Sequence, residues 1–179
     1  NAQNTANRLA RFNGVAATAL YHPPPLAERL HAGRYGDYVL VVGRLEAVKR
    51  PELAIRAMAH VPPAVKLVLV GEGSHRGQAE RTAIDAGLGD RVSFAGAASH
   101  EELVALYAGA LAVVYAPFDE DYGYVTLEAF HASKPVITAT DSGGPLEFIT
   151  HGVSGLVAEP TPEALAACVR ELAGNRARA

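Results

Sequence analysis

Five short apolar runs, "YVLVV", "VKLVLV", "VSFAG", "LAVVYA" and "PVITA", recur along the chain, and a segment of helical spacing separates each from the next. The runs are rich in valine and do not alternate apolar with polar residues, the pattern of strands buried on both faces. Between them lie "PELAIRAMAH", "SHRGQAERTAIDAG", "HEELVALYAG" and "YVTLEAFHAS". Strand and helix thus alternate at least five times, which predicts an α/β fold: a doubly wound parallel sheet with helices on both faces. Ligands of such sheets bind at the carboxyl ends of the strands. The loops that matter are therefore "GRLEAVKR", "GEGS", "AGAASH", "APFDEDYG" and "TDSGGPLE".

Several helix ends are marked locally. Pro51 suits a first helical position, Ser74 and Ser99 are candidate N-caps, and Gly87 and Gly109 are candidate stops. Ser99 with Glu102 has the spacing of a capping box. Ahead of the regular part, "NAQNTANRLARF" reads as a polar helix, "VAATAL" as a short strand, and "YHPPPLAERLHAG" as an extended connection, since successive prolines disfavour helix. Residues 1–36 are accordingly expected to form an approach segment with first strand and helix elements, and residues 37–179 the sheet domain.

The 179 residues fit one globular domain. A net charge of −3 leaves no broad basic face, so nucleic acid is not an expected partner and any bound phosphate must be met by a few placed cations. The single cysteine, Cys168, has no internal disulfide partner, which suits a cytoplasmic setting. No run of about 18 apolar residues predicts a transmembrane helix, and the N-terminus lacks the apolar centre of a signal peptide. It reads as the middle of a longer protein.

The segment "APFDEDYGYVTLEAF" carries the densest chemistry. Gly123 marks a turn, and Tyr124 or Val125 opens a helix whose free N–H groups form an anion site. Glu128 lies five residues past Gly123, roughly 7.5 Å along a helix axis, and Glu120 lies three residues before it. An ionised carboxylate only accepts hydrogen bonds, so it suits sugar hydroxyls and repels phosphate. Acid, helix N-terminus, acid is the order of groups in sugar, diphosphate, ribose. The plainer alternative is that both acids merely favour a helix start.

A second loop, "VVGRLEAVKRP", places Arg44 and Lys49 five residues apart before a helix. Arginine grips two phosphate oxygens and lysine adds a point charge, together enough for a diphosphate; the alternative is a solvated basic loop. Gly71 and Gly73 follow a strand, but Arg76 stands where a dinucleotide fingerprint needs its third glycine, which disfavours a nicotinamide dehydrogenase. Those glycines fit a tight turn, with Gly73 allowing backbone access to a ligand; Gly143 and Gly144 likewise fit a turn. Asp119 and Asp121 have the D-x-D spacing of some metal-dependent sugar transferases, yet with Arg44 and Lys49 supplying positive charge no metal is expected, and the pair also reads as a solvated loop. The seven histidines do not cluster, and Ser142 lacks a nucleophile-elbow context.

Taken together, "VGRLEAVKRPELAIRA", "LVGEGS", "VSFAGAASHEELVALYAGA", "EDYGYVTLEAFHASKPVIT" and "SGGPLEFI" resemble the carboxyl-terminal, donor-binding half of retaining GT-B glycosyltransferases. The likeness includes the two glutamates with seven residues between them, Glu120 and Glu128, and "NAQNTANRLARFNG" with "YHPPP" is similar to the family's interdomain approach. The resemblance implies a Rossmann-like fold and a nucleotide sugar, UDP- or GDP-linked, as donor substrate without further cofactor. It implies that Arg44 and Lys49 meet the diphosphate, Glu120 the transferred sugar and Glu128 the ribose. The backbone at Gly123, Tyr124, Val125 and Thr126 would meet the distal phosphate or sugar, and Ala98 would lie near the base. It also implies a second, acceptor-binding domain, which would precede this one and to which any membrane contact would belong. The loop "YAPFDE" departs from the family, lacking a serine after the proline and one residue of length. A sugar-nucleotide epimerase of the same architecture and a non-enzymatic nucleotide-binding module are the alternative functions.

Overall fold

Each valine-rich run becomes a strand of one parallel sheet in the computed structural model, which describes residues 2–175. The strands are β1 (Tyr38–Val42), β2 (Lys66–Val70), β3 (Val92–Gly96), β4 (Ala112–Val114), β5 (Val136–Ala139) and β6 (Gly155–Ala158). Six helices accompany them: α1 (Gln3–Asn13), α2 (Pro51–Ala57), α3 (Arg76–Asp85), α4 (His100–Gly109), α5 (Tyr124–His131) and α6 (Pro162–Gly174). The sheet order is β3-β2-β1-β4-β5-β6, all pairs parallel. The chain builds outward from β1 to β3, then returns to lay β4 against the free side of β1. The direction of winding therefore reverses between β1 and β4, and a crevice opens above their carboxyl ends.

Both faces of the sheet are covered, which is why the strands read as continuous apolar runs. Val39, Val41, Leu67 and Leu69 point into one core with Ile55 of α2 and Met58 just past it, Ala79 and Ala83 of α3, and Leu165 and Val169 of α6. Leu40, Val113 and Val136 point into the other with Tyr107 of α4 and Val125 and Ala129 of α5. Leu40 is fully buried between register partners Val68 and Val113.

The predicted helix ends are met with one exception. Ser99 and Glu102 form the reciprocal capping box, Pro51 opens α2, and Gly87 takes a left-handed φ of 66° just past α3. Ser74 does not cap α3. The helix starts at Arg76 because the preceding turn is pinned to the neighbouring loop: the His75 amide donates to the Leu45 carbonyl, and the Ser74 hydroxyl to Glu46 Oε2 at 2.6 Å.

Two expectations for the approach segment need correction. "VAATAL" forms no strand; residues 15–20 lie mostly exposed and pair with no strand of the sheet, and a β-prone run needs such a neighbour to gain from its propensity. "YHPPPLAERLHAG" is extended only at first. It then makes a helical turn, with the Leu30 amide on the Leu26 carbonyl at 3.1 Å, that drops both leucines into the second core. The polar N-terminal stretch is helical as expected. The last strand and helix, β6 and α6, were not among the elements singled out. Gly155 in β6 weakens the pattern, and its reason is close approach: a Cβ there would lie 2.3 Å from the Val136 carbonyl oxygen.

Candidate functional site

The loop after β1 and a 3-10 turn (Ala47–Lys49) bring two cations to the crevice. Arg44 is exposed, and its guanidinium has no hydrogen-bond or ion-pair partner among the described residues. Lys49 turns inward to pair with Glu120 Oε2. Next to it, Arg50 takes a left-handed backbone (φ 51°) and ties three loops together. Its guanidinium donates to the carbonyls of Ala116 and Pro117, at 2.8 and 2.6 Å, and to both carboxylate oxygens of Asp141, at 2.9 and 2.7 Å.

The loop after β4 carries Glu120 and is clamped by the loop after β5. The amides of Asp119 and Glu120 donate to the carbonyls of Asp141 and Ser142, and the Gly144 amide returns a bond to the Glu120 carbonyl at 2.7 Å. This approach explains Gly143, where a Cβ would lie 2.7 Å from the Glu120 carbonyl oxygen. Past the loop, Gly123 precedes α5 with φ 83°, and no side chain caps the helix. The Tyr124 and Val125 amides have no acceptor among the described residues, whereas the Thr126 amide is spent on the Gly123 carbonyl at 3.0 Å. Thr126 is wholly buried and its hydroxyl has no partner among the described residues.

Each glutamate is seated on a buried tyrosine. The Tyr115 hydroxyl donates to Glu120 Oε2 at 2.9 Å, and the Tyr107 hydroxyl to Glu128 Oε2 at 2.7 Å. The environments push the two acids in opposite directions. Burial would raise the Glu120 carboxyl, but the Lys49 bond and charge, with the Tyr115 bond, outweigh it and hold Glu120 below the usual carboxylate range. No cation pairs with Glu128 among the described residues, so burial dominates and raises it, the Tyr107 bond opposing only in part. Burial first and then the adjacent carboxylates lift both phenols well above their ordinary value, so each tyrosine acts as a donor.

Arg44, Lys49, Glu120, Gly123, Tyr124 and Val125 line one cavity of about 320 Å³ together with Tyr115 and Tyr122. Glu128 and Thr126 lie further along α5 and do not line it. Ala98 lines a separate cavity of about 350 Å³ beside α4, with Glu102 and Leu106. Gly73 lines neither: a Cβ there would meet the Leu45 backbone at 2.3 Å, so its size serves the packing of two loops. Asp119 and Asp121 are each engaged by α1. Asn4 Nδ2 donates to Asp119 Oδ1 at 3.0 Å, and Arg8 pairs with Asp121 at 2.5 Å.

Sequence reasoning missed the two tyrosines, the Arg50–Asp141 stitch and Asn4. Tyr115 did carry a signal, since a tyrosine inside a buried apolar run needs a partner for its hydroxyl. The Arg50–Asp141 and Asn4 contacts join positions 91 to 116 residues apart, and nothing local marks them.

A six-stranded parallel sheet wound from β1 in both directions, with its crevice at the switch point, is a Rossmann-like domain, here the carboxyl-terminal half of a GT-B architecture. Residues 33–179 match the family model described as glycosyl transferases group 1, and the chain belongs to that family. It is 34% identical over 126 residues to D-inositol 3-phosphate glycosyltransferase of Mycolicibacterium smegmatis, an alignment covering 68% of this chain and 29% of that protein. Sucrose-phosphate synthase from Thermosynechococcus elongatus shares the fold with a TM-score of 0.83 and 29% identity over 99% of this chain and 49% of that one. Anabaena HepE in complex with UDP-glucose superimposes with a TM-score of 0.74 and 25% identity over 99% of this chain and 45% of that one. The chain spans about a third of the length of the curated relatives it matches. Among the described residues no helix is long and apolar enough to cross a membrane.

Proposed function

We propose that this chain binds the donor of a retaining glycosyltransferase, which moves a hexosyl group from a nucleoside diphosphate sugar to an acceptor hydroxyl. One observation carries the reading: Arg44, Lys49 and Glu120 line one cavity with the uncapped start of α5, so that cations, free amides and an acid face a single space. The likeness to HepE, a protein solved with UDP-glucose, supports it. In this reading the diphosphate takes the Tyr124 and Val125 amides, Arg44 closes on it from the exposed side, and Lys49 is shared between phosphate and Glu120. Departure of the nucleotide leaves negative charge on the distal phosphate, which these preorganised donors stabilise where it develops. Glu120 Oε2 is committed to Lys49 and Tyr115, leaving Oε1 to orient the sugar through its hydroxyls. Glu128, partnered by a phenol and no cation, accepts from the ribose. Acceptor recognition and the transfer itself are assigned to the enzyme as a whole, so the 179-residue chain alone transfers no sugar; detectable transfer by it would overturn that division of labour.

Calorimetric titration of the chain with UDP and GDP, with and without magnesium, beside Glu128→Ala, tests the reading. Binding of one nucleotide, lost in the variant and indifferent to magnesium, is expected. Equal binding by the parent and Glu128→Ala, or strict dependence on magnesium, refutes the assigned roles.

A further inference from the structure

The loop bearing Glu120 is held from one side by the loop after β5 and from the other by the first helix of the chain. Asn4 is half-buried, and its Nδ2 donates at 3.0 Å to the Glu120 backbone carbonyl as well as to Asp119 Oδ1. The start of α1 is itself anchored, with the amides of Gln3 and Asn4 donating to the two Glu147 carboxylate oxygens at 2.8 and 2.7 Å, and the Tyr21 hydroxyl to Glu147 Oε2 at 2.7 Å. Gly143 leaves the room, since a Cβ there would lie 2.8 Å from Asn4 Nδ2. Asp119 sits at φ 44°, a left-handed conformation that non-glycine residues adopt only when their surroundings hold them. Asn4 bonds both that residue's side chain and the next residue's carbonyl, so it fixes the peptide from which the Glu120 carboxylate springs.

We propose that Asn4 is a positioning residue for the donor sugar, acting through the backbone of Glu120, and that α1 is the strut through which the approach segment sets this carboxylate. The inference rests on the reading of Glu120 as the acid that faces the sugar. Asn4 need not touch the donor. One amide serving two acceptors on consecutive residues restricts the peptide more than either bond alone, and a reacting geometry off by an ångström forfeits much of its effect. Loss of Asn4 therefore affects sugar recognition and leaves recognition of the nucleotide intact.

Two variants and two readouts test this. Asn4→Ala removes the donor, and Asn4→Leu fills the same space while donating nothing. Amide hydrogen exchange should quicken about fivefold or more at Glu120 and Gly144 in both variants, the change expected on losing one hydrogen bond, with exchange in β1 and β4 unaltered. Titration with UDP and UDP-glucose should show the affinity difference between the two shrinking by about fivefold in both variants, while UDP binds as in the parent. Glu120→Gln is the companion for the underlying reading. If it erases the UDP-glucose increment and the Asn4 variants do not, the positioning role falls and the donor site stands. Should Glu120→Gln leave the increment untouched, the role of Glu120 falls, and exchange at Glu120 and Gly144 alone decides whether Asn4 holds the loop. Parent-like exchange in Asn4→Leu would reduce Asn4 to a packing residue, and uniform acceleration through the sheet would reduce it to a general stabiliser; either overturns the proposal.

Discussion

Lys49 is the difference between the two glutamates of the crevice. Glu120 has it, and its folded carboxyl titrates below the ordinary range; Glu128 has only Tyr107, and burial lifts it. A depressed carboxyl stabilises the fold above its unfolded value and loses that contribution as pH falls through the folded one. A raised carboxyl does the reverse, and its penalty disappears as pH falls through the folded value. Stability should therefore rise on mild acidification as Glu128 protonates, then fall as Glu120 does. Urea denaturation between about pH 3 and 7 should show this maximum. Glu128→Gln should flatten its upper limb and raise the melting temperature at neutral pH while weakening nucleotide binding; Glu120→Gln should weaken the lower limb, to which Glu46, Glu102 and Asp141, also held below the ordinary range by their hydrogen bonds, contribute the rest. A Glu128→Gln chain less stable than the parent at neutral pH would show that burial is not what governs this acid. Residues at binding sites often carry such opposed demands, because a group kept for a ligand is left poorly satisfied without one.

At the scale of elements, the site is made by loops that hold one another. Arg50 from the loop after β1 binds carbonyls after β4 and the carboxylate after β5, and Gly143 and Gly144 let the last two loops close to hydrogen-bonding distance. Gly143→Ala meets both a positive φ of 73° and a Cβ 2.7 Å from the Glu120 carbonyl. It should destabilise by roughly 1–3 kcal/mol, read from denaturant midpoints, and also weaken UDP-glucose relative to UDP. Thr161→Ala removes the N-cap of α6, whose hydroxyl accepts from the Ala164 amide at 3.3 Å, and should cost about 1 kcal/mol, with nucleotide affinity unchanged. A loss of affinity in Thr161→Ala matching that in Gly143→Ala would mean that general stability, not loop geometry, sets binding.

Across the whole molecule, the two cores on either face of the sheet supply the stability that lets loops at one edge be spent on function. Ile55, wholly buried, and Ile84, 70% exposed on α3, make the contrast measurable. Ile55→Ala should destabilise by about 2–5 kcal/mol, and Ile84→Ala by no more than about 0.5 kcal/mol, in the same unfolding experiment. Architecture was legible in the sequence because burial on both faces and helical spacing are local, repeating patterns, and the five runs became five adjacent parallel strands. The opening of α5 after Gly123, the capping box at Ser99 and the inclusion of Arg44, Lys49 and Glu120 in one loop cluster could likewise be read from residue type and offset. "VAATAL" could not be excluded as a strand that way, since whether a β-prone run pairs depends on a free sheet edge. Nor could the partners of Asp119 and Asp121 be found, because Asn4 and Arg8 lie more than a hundred residues away. The sequence by itself determined the layered parallel fold and the chemical types gathered at its crevice, through short-range periodicity and turn chemistry. Only the tertiary structure decided which cation neutralises which acid, that each acid rests on a buried phenol, and that α1 grips the Glu120 loop, because those contacts depend on how distant loops meet once the sheet has formed.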